Sequence, residues 1–266
     1  MDMTIIKKST QYAFAVVTGI STVASLCNYT LRDIGGISFW HSVLILIVSY
    51  VILWGIIYFW YFRERHKPYA TKINGKHVQI CIGDIFKERG LKVIPFNERF
   101  DTQVDDIIIA HRTLNGMMID NFVSNIEDLR QTIADAEKDA SRFKMNKKKE
   151  YPLGRIIQYN QFLMLAFTHF DAENKAYINI SEYDQVLLRM WSEIRRVYAG
   201  KEVVLPLLGS GITTIDGAPC KNYTELLKCM LCTLKRSNFE PTLGIKIILT
   251  KDAIKQIDMN KLREVF

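Results

Sequence analysis

The feature that most constrains this chain is a long stretch near its start, from Ile34 to Phe62, that contains no Asp, Glu, Lys or Arg. Within that stretch, Val43–Phe62 (VLILIVSYVILWGIIYFWYF) is apolar or aromatic almost throughout. Helical residues rise about 1.5 Å each, so this run extends about 30 Å, the thickness of the hydrocarbon core of a bilayer. The run therefore predicts a transmembrane helix.

A second block without charged residues, Gln11–Leu31, precedes the first and is less apolar, because hydroxyl and amide side chains are scattered along it. A signal peptide is the alternative, but the block has no small-x-small cleavage site and another apolar span follows at once. We therefore predict a transmembrane hairpin in residues 1–67, with spans at about 11–31 and 43–62 and a turn around Arg32–Ser42. Ala15 and Gly19, four residues apart, are expected to let the two helices approach closely.

Basic residues flank both ends of the hairpin: Lys7 and Lys8 before it, and Arg63, Arg65 and Lys67 after it. Because such flanks stay on the cytoplasmic side, we expect a multi-pass protein of the inner cell membrane with both termini in the cytoplasm. Residues 68–266 then form a cytoplasmic domain.

Five cysteines in a reducing compartment predict no disulfide framework. Cys229 and Cys232 have CxxC spacing without a second pair or a nearby His, which indicates two buried helical thiols rather than a zinc site, so we expect no metal. The net charge of +7 comes from scattered cations without a recognition motif, which argues against nucleic-acid binding. The basic run Lys144–Lys149 is interpreted as a solvated loop in preference to a contact with lipid headgroups.

Residues 68–266 alternate between strand and helix patterns. The predicted strands are His77–Ile82, Leu91–Phe96, Arg155–Phe170, Lys201–Leu208 and Ile245–Thr250. The predicted helices are one opened by a capping box at Ser124–Glu127, one capped by Ser181, one at Tyr223–Arg236 and a final helical tail. This alternation predicts a three-layer α/β/α domain with a mixed, mostly parallel sheet.

The strand Lys201–Leu208 ends at Gly209-Ser210-Gly211, which we predict to precede a helix. Glycines at such a turn can place consecutive backbone N–H groups around an anion, although an ordinary strand-to-helix turn is the default interpretation of an isolated GxG. Thr214 excludes the dinucleotide fingerprint GxGxxG, and no Gly-Lys-Ser/Thr follows to form a P-loop. The flanking residues also differ from a nucleophile elbow.

A second group of residues strengthens the interpretation that the turn at Gly209–Gly211 binds phosphate. Gly83-Asp84-Ile85 follows one strand, Asn97 follows the next, and Leu114–Met118 comes later. This ordered set resembles a macro domain, the ADP-ribose-binding module. The resemblance implies that Asp84 and Ile85 contact the adenine, that Asn115-Gly116 belongs to a first phosphate loop and that Gly209–Ile212 forms the second. Pro95–Glu98 differs from the Asn-Ala-Ala-Asn of the family and the first loop has a single glycine, which argues against ADP-ribosyl hydrolase activity.

Three segments point to a narrower family: Asn97–Thr102 (NERFDT), His111–Ile119 (HRTLNGMMI) and Leu205–Ile215 (LPLLGSGITTI). Placed behind a hairpin, they resemble the ThsA family, the membrane-anchored macro-domain effectors of type II Thoeris anti-phage systems. The resemblance implies that a partner TIR-domain protein (ThsB) converts NAD into an ADP-ribose derivative, histidine-ADP-ribose. The macro domain would bind this signal, form a homo-oligomer and let its helices disrupt the lipid bilayer, causing abortive infection. No enzymatic activity and no cofactor are then expected.

The loop after the strand at Leu91–Phe96 adds charged candidates. Arg99 is expected to contact phosphate or ribose, and Glu98 or Asp101 to recognise the distal group of the ligand, although each is equally interpretable as a solvated charge. The candidate ligand-binding residues are Asp84, Ile85, Asn97, Glu98, Arg99, Asp101, Asn115, Gly116, Met117, Gly209, Ser210, Gly211, Ile212 and Thr213. The open alternatives are a membrane-anchored hydrolase of ADP-ribose or NAD and, less favoured because the spans lack charges, a selective channel.

Overall fold

The computed structural model describes residues 3–26, 38–65, 67, 69–138, 150–217 and 221–266. The chain divides into two compact units, residues 1–67 and residues 68–266. Most of the predicted turn at Arg32–Ser42, the end of the predicted first span beyond Leu26 and the basic run Lys144–Lys149 lie outside the described residues.

The first unit contains helices α1 (Met3–Leu26) and α2 (Phe39–Arg65), which pack against each other. The first half of α1 lies beside the second half of α2: Trp54 Nε1 donates to Thr10 Oγ1 at 3.3 Å. Ser9 and Ala13 are fully buried in α1, whereas Ala15 and Gly19 are exposed. The prediction that Ala15 and Gly19 form the contact is therefore wrong, because the face that meets a neighbour is the one that carries Ser9 and Ala13.

Helix α2 is apolar on every side, and the large aliphatic residues along it are exposed; Ile52, for example, is 57% exposed. A helix with no polar face is suited to lipid rather than to water. Within the described residues, α2 is the one helix long and apolar enough to cross a membrane by length and composition, over Phe39–Glu64. The structure thus supports one of the two predicted spans.

In its described residues, the second unit is built on a mixed sheet of nine strands. The strands are β1 (Tyr69–Ile73), β2 (Lys76–Ile82), β3 (Leu91–Asn97), β4 (Ile156–Tyr159), β5 (Phe162–Phe170), β6 (Ala176–Asn179), β7 (Val203–Pro206), β8 (Thr214–Asp216) and β9 (Ile245–Leu249). Their order is β1-β2-β9-β7-β3-β5-β6-β8, with β4 paired to β5. The central strands β2, β9, β7, β3 and β5 are all parallel, so their carboxyl ends meet at one edge of the sheet. The predicted mixed, mostly parallel sheet is confirmed.

The helices of this unit are α3 (Leu114–Phe122), α4 (Ile126–Lys138), α5 (Ile180–Val197), α6 (Tyr223–Arg236), α7 (Lys251–Lys255) and α8 (Met259–Arg263), and a short 3₁₀ helix spans Ile85–Lys87. Two predicted caps are wrong. The side chain that accepts from the N–H of Glu127 at the start of α4 is Asn125, not Ser124. Helix α5 begins one residue before Ser181, directly from β6, so its start is fixed by the sheet and Asn179 provides no side-chain cap.

The segment Arg155–Phe170, predicted as one strand, is a hairpin of β4 and β5 that turns at Asn160 with a φ of 53°. Strands β1, β6 and β8 and helix α3 were not predicted. Strand β5 is buried from Phe162 to Phe167, as expected for a strand covered on both faces. On α5, Trp191 is fully buried and donates from Nε1 to Thr233 Oγ1 of α6 at 3.1 Å, which ties two helices of the core together.

Candidate functional site

A cavity of about 650 Å³ lies at the carboxyl ends of the five parallel strands. Each strand contributes the residues with which it ends: Gly83–Phe86 after β2, Thr250 after β9, Leu207–Thr213 after β7, Asn97 from β3 and Thr168 from β5. Open α/β sheets bind their ligands at this edge. The volume is in the range typical of small-molecule sites.

At the β2 end of the cavity, Asp84 shapes a turn. Its Oδ1 accepts from the N–H of Phe86 at 3.0 Å and so caps the short 3₁₀ helix, while the side chain remains exposed. Ile85 is buried in the wall. On the neighbouring strand, Thr250 caps α7, and Gln256 also lines this end of the cavity.

The loop Leu207–Thr213 runs along the middle of the cavity, and side chains hold its carbonyl groups. Tyr183 Oη donates to the carbonyl of Leu208 at 2.9 Å, and Tyr223 Oη donates to that of Ser210 at 2.8 Å. Lys221 Nζ donates to the carbonyl of Gly211 at 2.5 Å. Burial lowers the pKa of the Lys221 ammonium. The carbonyls of Leu208, Ser210 and Gly211 are thus held by side chains, which fixes the course of the loop.

Among the described residues, the N–H groups of Gly209, Gly211 and Ile212 have no hydrogen-bond acceptor. Gly209 has a φ of 81°, which favours glycine, and a side chain there would also crowd Ile215 at 3.4 Å. A Cβ at Gly211 would meet nothing within 4 Å. The loop can therefore act as a set of main-chain donors for an anion.

One prediction about this loop is wrong. The glycine turn leads into the short strand β8, and the next helix, α6, begins only at Tyr223. Ile215 of β8 is buried, so an apolar side chain draws the chain back to the sheet before it reaches the helix. Any anion binding by this loop must therefore rely on its amides and not on the dipole of a following helix.

The second anion-binding feature is the start of α3. The residues predicted as a glycine loop, Asn115 and Gly116, lie in the first turn of this helix, and Thr113 caps it by accepting from the N–H of Gly116. A Cβ on Gly116 would lie 2.3 Å from the carbonyl oxygen of Ala110, so the glycine serves close packing of helix on loop. Asn115 and Gly116 therefore belong to a helix and not to a loop as predicted, and a contact of this segment with phosphate stays a prediction.

The start of α3 nevertheless faces the cavity, which is lined by Arg112, Thr113, Leu114, Asn115 and Met117. The first N–H groups of a helix lack acceptors within it and carry a partial positive charge, so they favour an anion. The guanidinium of Arg112 adds a full charge at the same place. Sequence reasoning missed Arg112; its position just before a Thr-x-x-Gly helix start was the available signal.

Asn97 lines the cavity, but its amide is engaged with Asp101. Asn97 Nδ2 donates to Asp101 Oδ2 at 2.5 Å, and its Oδ1 accepts from the N–H of Asp101 at 3.0 Å. Asp101 does not line the cavity. Its observed contacts fix the turn that follows β3, and through that turn the orientation of Asn97.

Glu98 and Arg99 also lie outside the main cavity and instead line a second, polar cavity of about 510 Å³. Strand β3 ends at Asn97, and Glu98 is the first residue of the turn that follows. Glu98, 5% exposed, hydrogen-bonds through its carboxylate to Nδ1 of His169. Arg99 pairs with Glu150 at 3.1 Å. Phe170 lines both cavities.

Of the fourteen predicted site residues, the structure brings ten to the main cavity: Asp84, Ile85, Asn97, Asn115, Met117, Gly209, Ser210, Gly211, Ile212 and Thr213. It does not bring Glu98, Arg99, Asp101 or Gly116 there. Contact of any of the fourteen residues with a ligand stays a prediction.

The cysteines and the potential metal ligands also limit the chemistry that this domain could perform. Cys229 and Cys232 are half-buried and free, and burial next to Asp184 raises the pKa of the Cys229 thiol to about 11, which disfavours the reactive thiolate. Across the part of the chain that the structure describes, no three His, Cys, Asp or Glu side chains group to hold a metal ion.

The fold is that of a macrodomain. A mutant macrodomain from Oceanobacillus iheyensis, solved with ADPR, superposes with a TM-score of 0.50 at 14% identity, and the match covers 75% of this chain and 98% of that one. The family model described as Thoeris protein ThsA, Macro domain, matches residues 78–250. Thoeris protein ThsA of Bacillus amyloliquefaciens (strain Y2) is 41% identical over 208 residues, which cover 73% of this chain and 69% of that protein. The chain belongs to the ThsA family of Thoeris proteins.

Proposed function

We propose that this protein is a membrane effector of Thoeris antiviral defence, whose macro domain senses an ADP-ribose-derived signal. The observation that carries the proposal is the cavity at the carboxyl ends of the five parallel strands. There the amides of Gly209, Gly211 and Ile212, which have no acceptor among the described residues, and the start of α3 offer two anion sites. Membership of the ThsA family supports the defence role. The likeness to a macrodomain solved with ADPR supports the class of ligand.

The order of the strands suggests how the nucleotide lies. The base contacts Asp84 and Ile85 after β2, the diphosphate lies along the β7 loop, and the distal ribose reaches β3 and β5. Parallel strands are spaced about 4.8 Å apart, so the four steps from β2 to β5 cover roughly 19 Å. An extended dinucleotide-like ligand suits this length better than a mononucleotide.

The diphosphate is held mainly by uncommitted N–H groups and by Arg112. Fixed amide dipoles in a partly enclosed cavity bind phosphate without reorganising, and the net charge of +7 favours the approach of an anion. The ligand that we propose is histidine-ADP-ribose. Its distal group lies toward Asn97 and Phe170, at the wall shared with the cavity that contains Glu98 and Arg99.

The signal is made by a partner TIR-domain protein (ThsB) from NAD. A ligand shifts an assembly equilibrium only by binding the assembled state more tightly. Occupied chains therefore form a homo-oligomer, and the hairpins, anchored in the inner membrane as a multi-pass unit with both termini in the cytoplasm, disrupt the bilayer and abort the infection. The exposed apolar surface of α2 supports the anchoring.

We propose that the macro domain senses its nucleotide by binding it and does not catalyse a reaction of it. Among the residues that the structure describes, the carboxylates that line the cavity are Asp84 and Asp252, both at the adenine end. Asp84 caps the 3₁₀ helix and Asp252 pairs with Lys255 at 2.9 Å, which gives neither a marked role as general base. The alternative is a membrane-anchored hydrolase of ADP-ribose or NAD.

The test uses the full chain in detergent micelles with ADP-ribose, NAD and histidine-ADP-ribose. Thermal shift reports binding, light scattering reports mass, and chromatography of the nucleotides reports turnover. The proposal predicts that histidine-ADP-ribose raises both melting temperature and mass and is recovered intact. Multiple turnover of any of the three would favour the hydrolase, and no response to any of them would refute the sensor.

A further inference from the structure

Three peptide units of the loop after β7 share one pattern of hydrogen bonds. The carbonyl oxygen of each unit accepts from a side chain, and the N–H of the same unit, which belongs to the next residue, has no acceptor among the described residues. The units, each with its side-chain donor, are Leu208–Gly209 with Tyr183, Ser210–Gly211 with Tyr223 and Gly211–Ile212 with Lys221. Each of the three uncommitted amides thus has a side chain bound to the other end of its peptide unit.

The geometry of the peptide bond explains what this pairing does. A trans peptide is planar, so its C=O and N–H point in opposite directions, and the peptide bonds of this loop are trans. Gly209, Gly211 and Ile212 line the main cavity, whereas Tyr183 and Lys221 do not. A side chain that holds the carbonyl from outside the cavity therefore turns the N–H of the same unit toward it.

The peptide unit between Gly209 and Ser210 provides an internal comparison. Its N–H donates to the carbonyl of Leu207 at 3.3 Å and so closes a tight turn. In the part of the chain that the structure describes, no side chain donates to the carbonyl of Gly209. The side-chain donors therefore lie on the units whose N–H groups are available to a ligand, and not on the unit whose N–H is already used.

The same contacts change the strength of the amides as well as their direction. A hydrogen bond to a carbonyl draws electrons through the conjugated peptide unit and makes its N–H a better donor, because linked hydrogen bonds polarise one another. The donor of Lys221 is charged, so its effect on the Ile212 N–H should be the largest. Tyr183 is 3% exposed, and burial raises the pKa of its phenol well above the usual value, so it stays a donor.

We infer that Tyr183, Tyr223 and Lys221 are positioning residues of the anion site, each of which orients and polarises one amide of the loop for a phosphate. The inference rests on the proposed function for the class of ligand, a nucleotide with a diphosphate. It adds the residues that prepare the amides before the ligand arrives, so that the amides need not reorganise when it binds. It also assigns each side chain to one amide.

The first test needs no ligand and compares amide NMR spectra of the full ¹⁵N-labelled chain in detergent. Tyr223→Phe, Lys221→Met and Tyr183→Phe each remove one donor. We expect the largest change in amide nitrogen shift at Gly211, Ile212 and Gly209, respectively, because each nitrogen is conjugated with the carbonyl that loses its partner. The first two variants decide the test if the buried Tyr183→Phe does not fold. Equal changes at all three amides, or none, overturn the inference.

The second test measures affinity for ADP-ribose and for inorganic pyrophosphate by calorimetry. Lys221→Met should weaken both roughly tenfold, since a unit charge near the phosphates is lost together with the polarised amide, and Tyr223→Phe about threefold. Lys228→Met on α6 makes the same change in net charge, and Tyr198→Phe removes a hydroxyl at the end of α5; neither residue lines the cavity, and both controls should bind like the wild type. Equal losses in the controls, or no loss in either loop variant, overturn the inference.

The two tests separate this inference from the proposed function. If the wild type binds neither ADP-ribose nor histidine-ADP-ribose, the proposed function fails, while the amide shifts of the unliganded variants still decide the inference. If the wild type binds nucleotide and the amide shifts do not follow the pairing of side chains with peptide units, the inference fails and the sensor stands.

Discussion

At the scale of single residues, the site depends more on the main chain than on charged side chains. Three side-chain donors, Lys221, Tyr183 and Tyr223, hold carbonyls of the loop after β7. Three amides of the loop, those of Gly209, Gly211 and Ile212, have no acceptor in the described part of the chain and remain for a ligand. Glu98 and Arg99, two of the charged residues offered from the sequence as ligand contacts, make pairs in a neighbouring cavity. Substitutions in the loop after β7 should therefore change the affinity for the nucleotide.

Gly211→Asp should weaken binding of ADP-ribose about tenfold or more. The new carboxylate would face the phosphates, and the like charges of the two groups repel each other. The open space around Gly211 means that the fold should tolerate the change. Gly211→Asn, of equal size and without charge, is the control and should bind more tightly than Gly211→Asp. Calorimetry of both variants is the measurement; equal affinities would show that the loop does not meet the phosphates.

Lys92 gives a prediction about pH. It is 2% exposed, its Nζ donates to the carbonyl of Gly90 and to Gln161 Oε1, and burial lowers its pKa. The unfolded chain therefore binds this proton more readily than the folded one. The contribution of Lys92 to the free energy of unfolding should rise as the pH rises from the lowered pKa to the ordinary one.

Lys92→Met removes the titrating group, so the share of the pH dependence of the melting temperature that Lys92 contributes should vanish. At neutral pH we expect a net change within about 1 kcal/mol, because the loss of two hydrogen bonds is offset by removal of a buried charge. Thermal unfolding between pH 7 and the alkaline range measures both effects. If the melting temperature of Lys92→Met varied with pH as that of the wild type does, the role assigned to Lys92 would be contradicted.

At the scale of elements, the packing of α3 on the preceding loop positions Arg112 and the first N–H groups of the helix. Gly116→Ala adds a methyl group 2.3 Å from the carbonyl oxygen of Ala110, and backbone must move to accept it. We expect a destabilisation of about 1–3 kcal/mol, as for other overpacked sites, together with weaker nucleotide binding. Asn121→Ala, on the exposed end of the same helix, is the control; a Gly116→Ala protein with wild-type melting temperature would contradict this packing.

The sequence was most informative where a local pattern alone determines the type and the bounds of a helix or strand. Helix α6 begins and ends at the predicted residues, Tyr223 and Arg236, because its apolar spacing and the cap at Asn222 act together. Strands β3, β5, β7 and β9 were found because burial on both faces makes them almost continuously apolar. The glycines at 209 and 211 marked the loop that lines the cavity.

What the sequence could not provide depends on contacts between distant segments. Strands β6 and β8 pair with each other in parallel over three residues, too short for any periodicity. The glycine at 116 looked like a loop residue because its constraint, the carbonyl of Ala110, is visible only in three dimensions. Asn97 and Glu98 line different cavities because β3 ends between them, just after its register with β5 shifts at Phe96 and Asn97, and the sequence shows neither the end nor the shift.

At the scale of the whole molecule, a macrodomain and a hairpin share one chain, and the account requires that the hairpin be held in the bilayer. Val48→Asp with Ile52→Asp places two carboxylates in the middle of α2, each costing about 3 kcal/mol at the bilayer centre. The variant should lose resistance to alkaline carbonate extraction while nucleotide binding persists. Phe39→Asp with Trp40→Asp, at the end of the same helix, should remain in the membrane; extraction of both pairs alike would contradict the span.

The central claim is that the amides of the β7 loop hold the phosphates of an ADP-ribose-type nucleotide. The most direct test is an amide NMR titration of the full ¹⁵N-labelled chain in detergent with histidine-ADP-ribose. The account predicts that the resonances of Gly209, Gly211 and Ile212 move most and saturate, because a phosphate then accepts from N–H groups that had no acceptor. Shifts confined to the cavity around Glu98 and Arg99, or none in the loop at saturating nucleotide, would contradict it.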